Sequence, residues 1–172
     1  MSSSHTPSPP VERGQGVRIH LTTLIYAPVE RVFDLARSIN LHEKSMSHTN
    51  EKAVGGVTSG IIQQGETVTW QAKHLFKTRF LTVQITAMKP YEFFTDEMVK
   101  GDFKSMKHHH YFKTVEGGTV MKDEFTFSSP YGFLGKVVNG IFLTNYMTRL
   151  LRQRNNIIRE YAESHKWKTV LP

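Results

Sequence analysis

Three consecutive histidines, His108, His109 and His110, lie inside a segment where apolar and polar residues alternate. In an extended strand successive side chains face opposite ways, so Met106, His108, His110 and Phe112 share one face and His109 takes the other. Residues two apart on a strand lie roughly 6 to 7 Å apart, which lets His108 and His110 reach one ligand. The same count groups Met121, Asp123, Phe125 and Phe127 in the following run. In an earlier run it groups Val68, Trp70, Ala72, His74 and Phe76. An imidazole beside a carboxylate is what general acid–base chemistry uses, so His108, His110 and Asp123 are the catalytic candidates, with Asp123 fixing a tautomer. The plainer reading is that these groups are hydrogen-bonded polar residues in a partly wet interior. Two histidines with His74 or Asp123 would supply three nitrogen and oxygen ligands, but the usual metal-ligand spacings are absent. No metal and no other cofactor is expected.

Arg154 falls in the middle of an apolar helical stripe, between Leu150 and Ile157. A dry, unpaired guanidinium costs several kcal/mol there, so it needs an anion or a route to water. It can hold a ligand carboxylate or phosphate, pair with Asp123 or Glu97, or run its stem past the sheet edge to solvent. Of the neighbours Asp96 and Glu97 only one can face inward, and alternation alone does not choose. Met98, Met106, Met121 and Met147 suit an adaptable apolar interior. A phosphate-binding Gly-Lys-Ser or Gly-Lys-Thr loop, a dinucleotide fingerprint and a Gly-x-Ser-x-Gly elbow are all missing.

The elements that must position these groups fit one domain in 172 residues. At 38% hydrophobic and 22% charged, the chain is too apolar for disorder. Residues 1–16, rich in Ser, Pro and Gly, are the exception and read as a disordered leader, followed by a domain over 17–168 and a tail at 169–172. The absence of cysteine excludes disulfides, thiolate nucleophiles and Cys-ligated metals, and fits a reducing, cytoplasmic setting. Neither a secretory signal nor an apolar stretch long enough to span a membrane is present, so no membrane insertion is expected. The formal charge is +7, of which +5 comes from residue 132 onward, where seven basic residues outnumber Glu160 and Glu163. Those acidic residues interrupt the basic face, so a solvated helix is expected rather than a nucleic-acid surface.

Period-two alternation predicts a strand over Val17 to Ile25, which Pro28 ends while starting a helix that buries Val29, Val32, Phe33 and Ala36. A short helix follows near Asn40 to Met46. Further strands are expected over Glu66 to Phe76, Arg79 to Met88, Tyr91 to Met98, Phe103 to Val115 and Thr119 to Ser128, joined as a meander. A long helix closes the chain from about Ile141 to Lys166, with a break near Gly140. It gathers Leu143, Tyr146, Met147, Leu150, Leu151, Ile157, Ile158 and Tyr161 on one stripe. Burying eight such side chains at ~1.5 to 3 kcal/mol each demands a partner surface, and a curved sheet is the only one large enough. The fold class is therefore α+β, a curved antiparallel sheet of six to seven strands around a long C-terminal helix.

Over roughly residues 17–167 this order resembles the START-like helix-grip superfamily, also called SRPBCC, which includes polyketide cyclases and lipid-transfer domains. The segments carrying the likeness are Ala27 to Asp34, Gly65 to Trp70, Asp96-Glu97 with Gly101-Asp102-Phe103, His108 to Phe112, and Pro130 to Gly135. The resemblance implies a cavity between sheet and last helix that holds a small hydrophobic or amphipathic molecule. It does not imply a single activity. The expected walls are Trp70, Phe76, Met106, Phe112, Phe125, Met147 and Leu150, with His74, His108, His110, Asp123 and Arg154 orienting the ligand. The rival functions are a cyclase or dehydratase using the interior His/Asp pair and a regulatory interaction protein with a filled core. Monomer and homodimer are both compatible with the sequence.

Overall fold

The computed structural model describes residues 16–74, 76–128 and 133–172, with side chains from 141 onward in the last stretch. The expected leader, apart from Gly16, and the Pro130 to Gly132 part of the last resemblance segment lie outside the described residues.

Strand β1 (Val17–Ile25) leads through Pro28 into helix α1 (Val29–Arg37), and Ser38 caps helix α2 (Ile39–Ser45) by accepting a hydrogen bond from the Leu41 amide. Pro28 occupies the N-cap itself, just ahead of the first helical residue. Six more strands follow: β2 (Lys52–Gly56), β3 (Thr67–His74), β4 (Lys77–Lys89), β5 (Phe93–Lys100), β6 (Ser105–Val115) and β7 (Gly118–Ser128). They form one antiparallel sheet in the order β1-β7-β6-β5-β4-β3-β2, a meander closed by the first strand. Strand β2 was hidden in the sequence because its Gly55 and Gly56 read as turn residues. Gly56 is required there, since with φ of 68° an added Cβ would lie 2.1 Å from the Thr67 carbonyl oxygen. Register shifts at Thr82/Val83 and Ile85/Ala87 mark irregularities in β4, the device by which antiparallel sheets bend.

Helix α3 (Phe133–Ala162) crosses the sheet and gives way to a 3-10 turn at His165–Thr169. The break expected near Gly140 is absent. Ile141, which is out of phase with the apolar stripe, is exposed, so the helix continues without needing to bury it. Near the end of the chain Val170 is buried and its carbonyl accepts from Ser38 Oγ.

The core lies under the C-terminal half of α3. Leu150, Leu151 and Ile158 are buried, while Leu143, Tyr146 and Met147 are only partly so. A second knot of packing lies beneath α1, where Phe33 meets Phe94 and Phe112 edge-on with ring centroids 5.8 and 5.2 Å apart. Around Leu143 to Met147, α3 is thus only partly covered, and open space lies between it and the sheet.

Candidate functional site

Between the sheet and α3 lies a cavity of about 410 Å³. Its walls are mostly apolar, with Val68, Trp70, Leu81, Met106, Met147 and Leu150 among them. At one end a polar cluster is built across three adjacent strands. Asp96 on β5 stands directly opposite His108 on β6, and His110 stands opposite Asp123 on β7. The hydrogen bonds run diagonally to this register. His110 Nε2 donates to Asp96 Oδ1 at 2.9 Å and His108 Nε2 donates to Asp123 Oδ1 at 2.9 Å. His110 Nδ1 lies 3.0 Å from the same Asp123 oxygen but off the hydrogen-bond direction, so this buried nitrogen is left without a partner. The two imidazoles sit against each other, centroids 3.7 Å apart, and His110 stacks on Phe94 at 4.2 Å.

Helix α3 closes the cluster. Asn155 Nδ2 donates to Asp123 Oδ2 at 2.6 Å, and Arg154 holds the Ala36 carbonyl through Nη2 at 2.8 Å. Arg154 Nη1, 3.8 Å from Asp123 Oδ1, has no hydrogen-bond partner and is fully buried. This excludes the solvent-directed reading of Arg154. Burial works against both carboxylates, yet each is held below its ordinary range. For Asp96 the hydrogen bond from His110 and the charges of His108, His110 and Arg154 outweigh burial, and for Asp123 the two imidazoles do so. His108 is lowered from 6.5 to about 4, chiefly by burial and then by the charge of His110, against the pull of Asp123 and Asp96. Burial also lowers Arg154, opposed by Asp123 and Asp96. Leaving the imidazoles aside, the two carboxylates outnumber the one guanidinium by a single negative charge.

A second polar group lies farther along the cavity. His42 Nε2 donates to Glu51 Oε1 at 2.7 Å and its ring stacks on Trp70 at 4.1 Å. His74 Nδ1 is hydrogen-bonded to the Tyr146 hydroxyl at 2.8 Å. Burial lowers His74 despite the nearby Glu51, and burial with Glu51 raises Tyr146.

No protein-family model matches the sequence, and neither does any curated protein. Solved structures do match. An aromatase/cyclase, Zhui, from Streptomyces sp. R1128 superposes with a TM-score of 0.68 at 13% identity, covering 87% of this chain and 94% of that one. A ginseng major latex-like protein from Panax ginseng gives 0.65 at 14%, covering 88% and 100%. A protein of Thermus thermophilus gives 0.65 at 15%, covering 83% and 97%. The chain has the START-like helix-grip fold.

Of the twelve residues expected around the helix-grip cavity, nine line it: Trp70, His74, Met106, His108, His110, Phe125, Met147, Leu150 and Arg154. Three do not. Alternation puts Phe76 on the inward face of β3, but that strand ends at His74. Phe76 sits in the turn to β4 with φ of 67° and is 96% exposed, because strand alternation stops where the backbone turns. Phe112 faces inward yet packs under α1 against Phe33, beyond the end of the cavity. Asp123 is buried behind the histidines, holding them without facing the open space. Asp96, which the sequence left undecided against Glu97, is the inward carboxylate. Glu97 pairs outside with Lys107 and Thr86. Asn155 was missed, although its spacing of four from Leu151 and three from Ile158 puts it on the apolar stripe. His42 and Glu51 carry no local signal, since only the tertiary fold brings them beside Trp70.

Proposed function

We propose that this chain binds a small hydrophobic or amphipathic molecule between the sheet and α3, as a carrier or sequestering protein. The observation that carries the reading is a cavity of about 410 Å³, apolar along its walls, that ends on buried groups with unused hydrogen-bonding capacity. Arg154 Nη1 suits an acceptor oxygen on the deep end of the ligand, while Trp70 and the methionines enclose its body. A filled core, as an interaction protein would have, does not fit a void of this size. No helix among the described residues is long and apolar enough to cross a membrane. With no cysteine in the chain, a cytoplasmic carrier acting as a monomer or homodimer is the simplest setting.

Native mass spectrometry of the purified protein, followed by titration with fatty acids, sterols and polycyclic aromatics while Trp70 fluorescence is monitored in a Trp167→Phe background, tests this. One-to-one binding with thermal stabilisation is expected, about 2.7 kcal/mol at a ligand concentration of 100 Kd. An empty native spectrum and a panel without quenching or stabilisation would overturn it.

The chain of contacts from Asp96 through His110 to Asp123 and His108 supports a second reading, a cyclase or dehydratase in which His110 or His108 moves a proton. The aromatase/cyclase among the structural neighbours adds support. With a polyketide chain as substrate, His110→Ala and Asp123→Asn should each lower turnover by at least about a hundredfold. Equal turnover in folded variants dismisses this second reading.

A further inference from the structure

We infer that Asp96, His108 and His110 form a binding site for a divalent first-row transition-metal ion at the polar end of the cavity. One ligand atom from each of these three residues lies within 4.8 Å of the others, all on one face of the sheet and all lining the open space. The third ligand is neither His74 nor Asp123, the two that the sequence offers. It is Asp96, brought opposite His108 by the β5–β6 register.

What separates this cluster from a chance grouping is the shell behind it. A metal-bound imidazole characteristically gives its remaining N–H to a carboxylate, which fixes its tautomer and orientation. Asp123 Oδ1 occupies that place for His108, 2.9 Å from its Nε2, and lies 3.0 Å from His110 Nδ1, which has no hydrogen-bond partner of its own. An ion between His110 Nε2 and Asp96 would take the place of the hydrogen those two now share, with His110 carrying its N–H on Nδ1, beside Asp123. Asp123 is itself held by Asn155. Two imidazoles and a carboxylate facing open volume make a site with free coordination positions, and hard-to-borderline N/O donors suit zinc or iron(II) over calcium or magnesium. The carboxylates Asp96 and Asp123 outnumber the Arg154 guanidinium, which favours a cation at this end of the cavity and leaves a divalent ion able to carry an anionic ligand. Arg154 lines the same space, and its buried Nη1, 3.8 Å from Asp123 and without a hydrogen-bond partner, is available as a donor to that anion.

The inference does not depend on the organic ligand proposed above, and its test reads the metal alone. Chelator-treated full-length protein is titrated with cobalt(II), followed by visible absorption, and then competed with zinc(II). One-to-one binding with the intense bands of low-coordinate cobalt is expected. Asp96→Asn and His110→Ala should weaken it at least tenfold and Asp123→Asn by about 10- to 100-fold. His109→Ala, whose imidazole instead meets Thr95 Oγ1, should leave it unchanged. Asp96→Asn is nearly isosteric and keeps the test open if His110→Ala does not fold. The inference fails if cobalt retains its hexaaqua spectrum, or if folded Asp96→Asn binds as tightly as the unaltered chain. Either failure leaves the Trp70 titration with organic ligands unaffected, so the two proposals fall separately.

Discussion

Acidification gives the most direct physical test of the buried cluster. His108 is held at about 4 in the folded protein against 6.5 for an ordinary imidazole. Between those values the unfolded chain takes up a proton that the folded chain refuses. The stability contributed by a neutral His108 is therefore present in full above pH 6.5 and is lost as the pH falls towards 4. A gap of about 2.5 pH units, at about 1.4 kcal/mol each, sets a ceiling on the order of 3 kcal/mol. That is a large share of the 5 to 15 kcal/mol typical of a whole domain. Asp96 and Asp123, both held below their ordinary carboxylate range, extend the loss to lower pH, because each must be protonated as the fold gives way. The assay is urea denaturation of chelator-treated protein at a series of pH values from 7.5 to 4.5, beside a His108→Gln variant. Glutamine can still donate to Asp123 but cannot titrate. The unaltered protein should lose up to about 1.4 kcal/mol more per pH unit than the variant in the middle of that window, the slope of one proton. Identical pH dependence in the two proteins would refute the account of His108 as a buried neutral imidazole.

Three further outcomes follow from the geometry. Phe76→Gly relieves a left-handed backbone carrying an exposed aromatic, so urea denaturation should show stability unchanged or raised by up to about 1 kcal/mol, with ligand affinity unaltered. Ala72→Phe puts a ring into the cavity from the floor strand β3. Fluorescence titration should show at least a tenfold loss of affinity for organic ligands while circular dichroism stays native. Ile158→Ala, at the fully buried end of α3, should cost about 2 to 5 kcal/mol in chemical denaturation, with little effect on the remote cavity.

The inward faces of β1, β3, β6 and β7 were legible because period-two alternation is a local property that a half-buried strand must show. Trp70, Met106, His108, His110 and Phe125 inherited their correct placement from it. The count failed at Phe76 because alternation does not announce where a strand turns, and a bulky residue in a left-handed turn gives no warning. Asp96 against Glu97 was unreadable for a different reason. The β4–β5 ladder shifts register next to Asp96, and only pairing across strands assigns the carboxylate to His110. Helical periodicity placed Arg154 inward but could not state its partner, since Ala36 and Asp123 come from distant segments. The cavity left its trace in α3. Eight apolar residues share the stripe, yet Leu143, Tyr146 and Met147 are only half covered, because they line the cavity rather than a filled core.

The two carboxylates of the cluster differ in a way that separates stability from function. Asp123 has its oxygens committed to His108 and Asn155, lies against His110, and does not reach the cavity, so it belongs to the fold's own wiring. Asp96 has one protein partner and faces the open space. Neutralising Asp123 exchanges the charged acceptor of His108 for a neutral amide and leaves Arg154 without its nearest countercharge, a loss of about 3 to 5 kcal/mol by the measure of broken buried pairs. Neutralising Asp96 removes a single hydrogen bond beside an open volume that can admit water, so its effect on stability should be smaller. Its effect on whatever occupies the cavity should be larger. Denaturation and binding measured together on Asp96→Asn and Asp123→Asn therefore read the two layers independently. The same ordering for both variants in both assays would mean that the cluster acts only as structure.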